Sequence, residues 1–294
     1  MKLSSFLNSC SKLCRTLLIL SVPLFSMLSC TPREAVTKAS YVVLSPEVAE
    51  ILAALGASDE ISGVTVECDY PPQLGERVIV GNFGAIDKEK VLALEPKIVF
   101  TSALEQEAIA TDLRKLGIEV VSSYPKNLDE MLSEIFRLGE IVGRQSEAKK
   151  LVESLQTEIG DIGKAAENSG KKPKVYLEIY RDPLMSVSDE SLVGELINHS
   201  GGENIFRVLE RDYSRINPEE VIKAMPDIMI CYSRDSLENI VARKGWHVIP
   251  AIKNQQIYFE EDISPDILQR ASPRSIQGMK ELAKIYQKWC EAGL

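Results

Sequence analysis

The chain has 294 residues, 45% of them hydrophobic and 26% charged, and its 43 acidic side chains outnumber 34 Lys and Arg to give a net charge of -9. That length suffices for one large or two ordinary soluble domains. No Lys/Arg-rich patch stands out, which argues against a nucleic-acid partner.

Residues 1–29 differ from the rest. They carry Lys2, Lys12 and Arg15, no acid, and a mostly apolar run over 16–29. The run is too short for a permanent membrane span. A basic start followed by a short apolar core reads as an export signal. It ends in Ser-Met-Leu-Ser-Cys at 26–30, which is similar to a bacterial lipobox. Cys30 is then the lipidated first residue of the mature chain, residues 30–39 are a linker, and acyl chains tie the protein to a membrane. A plain signal peptide with Cys30 incidental is the alternative. Cleavage removes three positive charges from -9, leaving about -12. The remaining Cys68, Cys231 and Cys290 show no C-x-x-C spacing, so neither a metal site nor a disulfide framework is expected.

Residues 40–143 read as an N-terminal lobe. Tyr41–Leu44 is a buried strand, and Ser45-Pro46 starts a helix with Pro at its first position. Val48, Ile51, Leu52 and Leu55 keep helical spacing until Gly56 stops it. Further strands fall at Arg77–Val80, Lys97–Phe100 and Glu119–Ser123, with helices between them. Residues 144–170 read as one long helix, with Ala148, Leu151, Val152, Leu155, Ile159 and Ile162 on one face. Residues 171–294 form a C-terminal lobe: a strand over Lys174–Tyr180, a helix and strand within 192–206, more strand over His247–Phe259, and a closing helix. The alternation predicts an α/β fold with largely parallel sheets. The fold class is two similar Rossmann-like lobes joined by one long backbone α-helix, with a ligand cleft between them.

The second lobe repeats the first. Lys88–Phe100 (KEKVLALEPKIVF) aligns with Pro218–Ile230 (PEEVIKAMPDIMI) without a gap. Asp87 and Asn217 are placed as N-caps, and Pro96 and Pro226 end the helices. Val91, Leu92 and Leu94, like Val221, Ile222 and Met225, are expected to face the sheet. Glu89 and Glu219 fall in matching first turns. The helix dipole alone favours an acid there by roughly 0.3–1 kcal/mol. Two exposed carboxylates on two lobes would also suit Arg pockets on a two-fold partner.

Several segments in this order carry a resemblance: LSPEVAEILAALG, ECDYPPQL, EKVLALEPKIVF, DPLMSV, GGENIF, PEEVIKAMPDIMI and RASPRSIQGMKELAKIY. Over residues 40–288 the chain resembles the periplasmic substrate-binding proteins of ABC importers for iron chelates and cobalamin, the group with a helical backbone. The resemblance implies that Glu89 and Glu219 dock onto Arg residues of a permease dimer, which works with ATPase subunits. It also places Phe83 and Tyr213 among cleft positions, and Glu67, Met185 and Ile267 where cobalamin binders carry aromatics. Arg181 and Arg270 are candidates to pair with an anionic chelate or propionate. Tyr70, Tyr180 and Met185 are candidates to face haem, Tyr or Met being a possible axial ligand. Each has a plainer reading: Tyr70 shapes a loop, Met185 packs, and an isolated Arg is a solvated charge. The expected cargo is a ferric siderophore, haem or cobalamin, with no intrinsic cofactor.

Two other classes are weighed. A bare zinc or manganese receptor wants several His beside carboxylates, and this chain has only His199 and His247. An extracytoplasmic enzyme would need a catalytic constellation, and none of the usual nucleophile, P-loop or metalloprotease motifs occurs.

Overall fold

Helix α1 (Pro46–Ala54) begins where strand β1 (Tyr41–Val43) ends. The Ser45 side chain accepts the Val48 N–H there, and Pro46 fills the first turn. The helix ends at Gly56, whose φ of +77° suits a residue without Cβ. The computed structural model describes residues 40–168 and 170–293. The signal at 1–29, Cys30 and the linker to residue 39 lie outside the described residues.

The first half continues through β2 (Ile61–Val64), β3 (Val78–Ile79), the ribbon β4 (Gly81–Asn82) and β5 (Ala85–Ile86), and α2 (Lys88–Ala93). β6 (Ile98–Ser102), α3 (Glu107–Lys115), β7 (Val120–Ser123) and α4 (Leu128–Ile141) complete it, and α5 (Gln145–Glu167) follows as the long helix. The second half runs β8 (Lys174–Glu178), β9 (Tyr180–Arg181), β10 (Leu184–Val187), α6 (Leu192–His199), β11 (Glu203–Asn204), β12 (Tyr213–Arg215) and α7 (Pro218–Ala224). It closes with β13 (Ile228–Cys231), α8 (Leu237–Val241), α9 (Pro250–Lys253), β14 (Ile257–Phe259), α10 (Asp266–Gln269) and α11 (Ser275–Glu291).

The repeat seen in sequence is a repeat of topology. The first sheet has the order β3-β2-β1-β6-β7 and the second β11-β8-β13-β14. In each, the lobe's first strand (β1 or β8) lies between its second (β2 or β11) and the strand that follows the repeated helix (β6 or β13), and all pairings are parallel. Helices α2 and α7 occupy matching places, immediately before β6 and β13. Both are capped as expected. Asp87 accepts the Lys90 N–H, and Asn217 forms a capping box with Glu220.

Side-chain alternation divides the interior. Tyr41 and Val43 of β1 and Val175 and Leu177 of β8 face one core common to both lobes. Residues of α1, α4, α5, α6 and α11 fill it. Val42 and Leu44 face a second cluster in the first lobe, and Tyr176 a third in the second. The lobes therefore share a continuous apolar layer, and Lys38–Leu294 forms one compact unit.

Three local expectations need correction. Leu92 and Met225 are exposed, at 42% and 37%. Leu92 lies about 100° round a short helix from the buried Val91, and Met225 is held at φ +51° before Pro226. Residues 246–253 form a 3-10 turn and α9 instead of strand, because Pro250 takes the first helical position, where its missing N–H costs nothing.

Two polar contacts tie the halves together. Glu50 of α1 has a side chain only 2% exposed. It accepts Arg270 Nη1 and Arg274 Nη1 at 2.9 Å each, and Ser272 Oγ at 2.5 Å. On α6, Glu195 accepts the Leu128 N–H at the start of α4 (2.7 Å) and meets His199 at 3.6 Å. The Glu195 hydrogen bond holds the His199 imidazole above its ordinary pKa, with Asp129 adding to it and burial opposing. Burial works against the Glu195 charge, yet the contacts from His199 and Leu128 prevail and lower it.

Removing one partner of a buried ion pair strands the others, so Glu50→Ala should cost roughly 3–5 kcal/mol in urea unfolding. A loss within the noise of a surface substitution would mean the clamp is solvated. The His199 contact carries its own pH window. A raised His contributes fully below about pH 6.5 and loses that contribution as pH rises through the folded value. A lowered Glu contributes above about pH 4.3 and loses it as pH falls. The link is thus strongest between those limits. Proton NMR should find His199 titrating above 6.5 and returning toward it in Glu195→Gln; no change would dismiss the link.

Candidate functional site

A cavity of about 520 Å³ opens where segments of both halves meet. Its lining follows from the two parallel sheets. Ligands of open α/β sheets bind beyond the carboxyl ends of the strands, where the chain turns into loops. Here Glu47 follows β1, Ser102 and Glu105 close β6, and Tyr124, Pro125 and Lys126 follow β7. From the second half come Ile179 after β8, Ser191 and Leu192 at the start of α6, Asp212 and Tyr213 at β12, and Gln269 and Ala271 beside α10. Phe83, in the turn between β4 and β5, completes the first side.

Much of this wall is held by the backbone's own needs. The Glu67 carboxylate accepts the Phe83 N–H at 2.9 Å, and the Gln106 amide donates to the Phe83 carbonyl at 2.9 Å. Gln106 also donates to the Leu44 carbonyl and accepts the Ser102 N–H. One buried amide thus fixes the Phe83 turn against the ends of β1 and β6.

The electrostatics of the cavity are acidic. Burial pushes the Tyr124 phenol above its ordinary pKa, and the charges of Glu105, Asp212 and Glu47 push it further. Burial likewise drives Tyr213 up to about 12, with Tyr124, Asp212 and Glu105 adding to the effect. Glu47 is itself raised by burial and by Glu105, against the Ser45 hydrogen bond and the Arg270 charge. Both phenols therefore stay protonated, and three carboxylates from two lobes converge around them.

The residues singled out in sequence separate into two groups. Phe83 and Tyr213 line the cavity. Tyr70, Tyr180, Arg181, Met185 and Arg270 do not. The Tyr70 ring lies under the Arg274 guanidinium at 3.9 Å and borders a different cavity among α1, α5 and α11. Tyr180 is exposed on β9, paired across the ribbon with Met185. Arg181 turns to Asp235 at 2.9 Å. That carboxylate also holds Arg243, which grips the fully buried Glu178 with two hydrogen bonds of 2.5 and 2.7 Å. Arg270 is drawn in by Glu50, Asp69 and Asp266. In both arginines a partner distant in sequence supplies the opposite charge, so neither is left as a free cation. The position of Ile267 is buried, at 4%.

The lining carboxylates and Tyr124 were missed by motif reading. For Glu47, Glu105 and Tyr124 the available signal was positional, each sitting within a few residues after a strand's carboxyl end, whereas Asp212 directly precedes β12. Glu89 and Glu219 are exposed, and among the described residues neither forms an ion pair with the groups around it. Glu220, by contrast, is used in its capping box. Cys68 and Cys231 are buried free thiols and Cys290 is partly buried. Among the described residues, no three His, Cys, Asp or Glu side chains gather as metal ligands.

The geometry can be set beside known proteins. The uncharacterised ABC transporter substrate-binding lipoprotein YvrC of Bacillus subtilis is 28% identical over 250 residues, 83% of this chain and 78% of that protein. A vitamin B12-binding protein of Vibrio parahaemolyticus is 24% identical over 248 residues, 84% of this chain and 88% of its own. The apo periplasmic heme-binding protein RhuT of a Roseiflexus species has the same fold, with a TM-score of 0.76 at 20% identity, covering 86% of this chain and 99% of that one. The family model described as periplasmic binding protein matches residues 42–262. The two-lobed chain with its cavity between parallel sheets belongs to the periplasmic binding protein family.

Proposed function

We propose that the protein is the substrate-binding component of an ABC importer, capturing a metal chelate in the cleft and delivering it to a membrane permease. The observation that carries this reading is the cavity itself, built at the carboxyl ends of both sheets from side chains of both lobes. Its volume lies in the range of sites that enclose compact ligands. The similar proteins are named for vitamin B12 binding, heme binding and ABC transport, which supports a chelate as the cargo class: a ferric siderophore, haem or cobalamin. A binder and not an enzyme is the reading those names favour.

Delivery is assigned to Glu89 and Glu219. They head α2 and α7, which hold matching places in the two lobes, and both carboxylates project into solvent. Paired charges of this kind set register with a two-fold partner more than they add affinity. Export and anchoring through a lipidated Cys30 complete the proposal. Among the described residues no helix is long and apolar enough to cross a membrane. The domain assignment follows the same line: lobes at 40–143 and 171–294 around a backbone helix at 144–170.

Replacing both docking acids, Glu89→Ala with Glu219→Ala, should reduce uptake in cells by at least tenfold while chelate affinity of the purified protein stays within a few fold. A double variant that binds poorly yet delivers whatever it binds would overturn the docking assignment.

A further inference from the structure

The charge inside the cleft bears on which chelates it accepts. Its lining holds three carboxylates, Glu47, Glu105 and Asp212, and one ammonium, Lys126. These four charged groups differ in exposure. Glu105 and Lys126 are exposed at the rim, whereas Glu47 and Asp212 are partly buried. Rim charges are screened by salt and water, and they oppose one another. Lys126 is thus the one cation among the lining residues, against three carboxylates.

Arg270 is the guanidinium whose charge reaches Glu47. It is already shared among Glu50, Asp69 and Asp266, and Arg274 is bound to Glu50 as well. That neighbouring cluster holds three acids against two arginines, so its own formal charge is negative, although the Arg270 charge still favours the ionised form of Glu47. Tyr124 and Tyr213 both feel Asp212 and Glu105, and no cation acts on either phenol. Carboxylates accept hydrogen bonds and donate none when ionised. The Tyr124 and Tyr213 phenols and the Gln269 amide are the donor groups, since the Ser191 hydroxyl donates to the Ser188 carbonyl and the Ser102 hydroxyl to Glu105 or the Ala103 carbonyl.

We propose that Glu47 and Asp212, assisted by Glu105, act as a charge filter that favours neutral or cationic metal complexes with N–H groups on their periphery and disfavours complexes bearing carboxylates. This rests on the chelate-binding reading above and names its substrate class. An amide rim places N–H donors against the two inner carboxylates. A propionate or catecholate rim would bring like charges together in a partly dry site, where their repulsion is far stronger than in water. Burial and Glu105 raise Glu47 against Ser45 and Arg270, so lowering the pH neutralises it and relaxes the filter.

The test uses matched pairs in which one scaffold carries either charge state: haem and its dimethyl ester, a corrinoid with amide side chains and its monocarboxylic acid, ferrioxamine B and its succinylated form. Affinities for the full chain are measured by fluorescence quenching or absorbance at low salt. The amide, ester or cationic member should bind at least tenfold tighter within the pair that fits, and added salt should narrow the gap. Glu47→Gln/Asp212→Asn should reverse the trend, tightening the acid form while weakening the amide form. Glu105→Gln at the exposed rim should reduce the discrimination by a smaller factor without touching buried structure. Equal affinity for both members of a binding pair, unaffected by salt, would overturn the filter and leave the chelate reading standing. Failure of every scaffold in both forms would overturn the chelate reading and the filter with it.

Discussion

One buried carboxylate sets the spacing of the molecule. Glu50 projects from the first helix of the first lobe and receives two guanidinium groups and a hydroxyl from residues 270–274, near the end of the chain. A charge so enclosed is tolerable only when its lone pairs are fully used. The two lobes must therefore meet in one arrangement to satisfy it. The common apolar layer supports the same arrangement, since α5 and α11 pack into it beside α1 and α6. A cleft whose walls are fixed in this way presents a nearly preformed site. Binding then loses little free energy to reorganisation.

From that constraint the site follows. Two parallel sheets of matching strand order turn their carboxyl ends toward a shared gap, and the loops after β1, β6, β7, β8 and β10 reach it. The clamp and the cleft also divide the available charge between them. Arg270 and Arg274 are spent on Glu50, Asp69 and Asp266, and Arg181 and Arg243 are spent on Asp235 and Glu178. The three acids that line the cleft consequently outnumber the one ammonium that lines it, Lys126. Structural pairing elsewhere is thus what gives the cavity its sign.

The fold was largely legible in the sequence because its signals are local. Ser45-Pro46, Asp87, Asn217-Pro218 and Gly56 announce helix ends through the nearest few residues, and the period of Ala148, Leu155 and their neighbours announces α5. The repeated helix–strand unit showed the internal symmetry before any strand pairing was known. The site was less legible, because its chemistry depends on pairs far apart in the chain. Arg270 and Glu50 are separated by 220 positions. Nothing near either one indicates that the arginine turns away from the cleft. Tyr70 is a candidate cleft residue in the sequence, and the Arg274 guanidinium, 204 positions away, covers its ring. Phe83 lies on the cavity wall in the turn of the β4–β5 ribbon and Tyr213 at the start of β12, while Glu47, Glu105 and Tyr124 come shortly after strand ends.

The account stands on lobes held at one separation by the Glu50 clamp. Spin labels carried by ketone-bearing unnatural residues at Leu104 and Val208, both exposed and close in sequence to lining residues of opposite walls, would report that separation by pulsed dipolar spectroscopy. The clamp predicts a single narrow distance distribution that broadens in Glu50→Ala. Two well-separated distances in the unaltered protein, or a distribution that Glu50→Ala leaves unchanged, would contradict it.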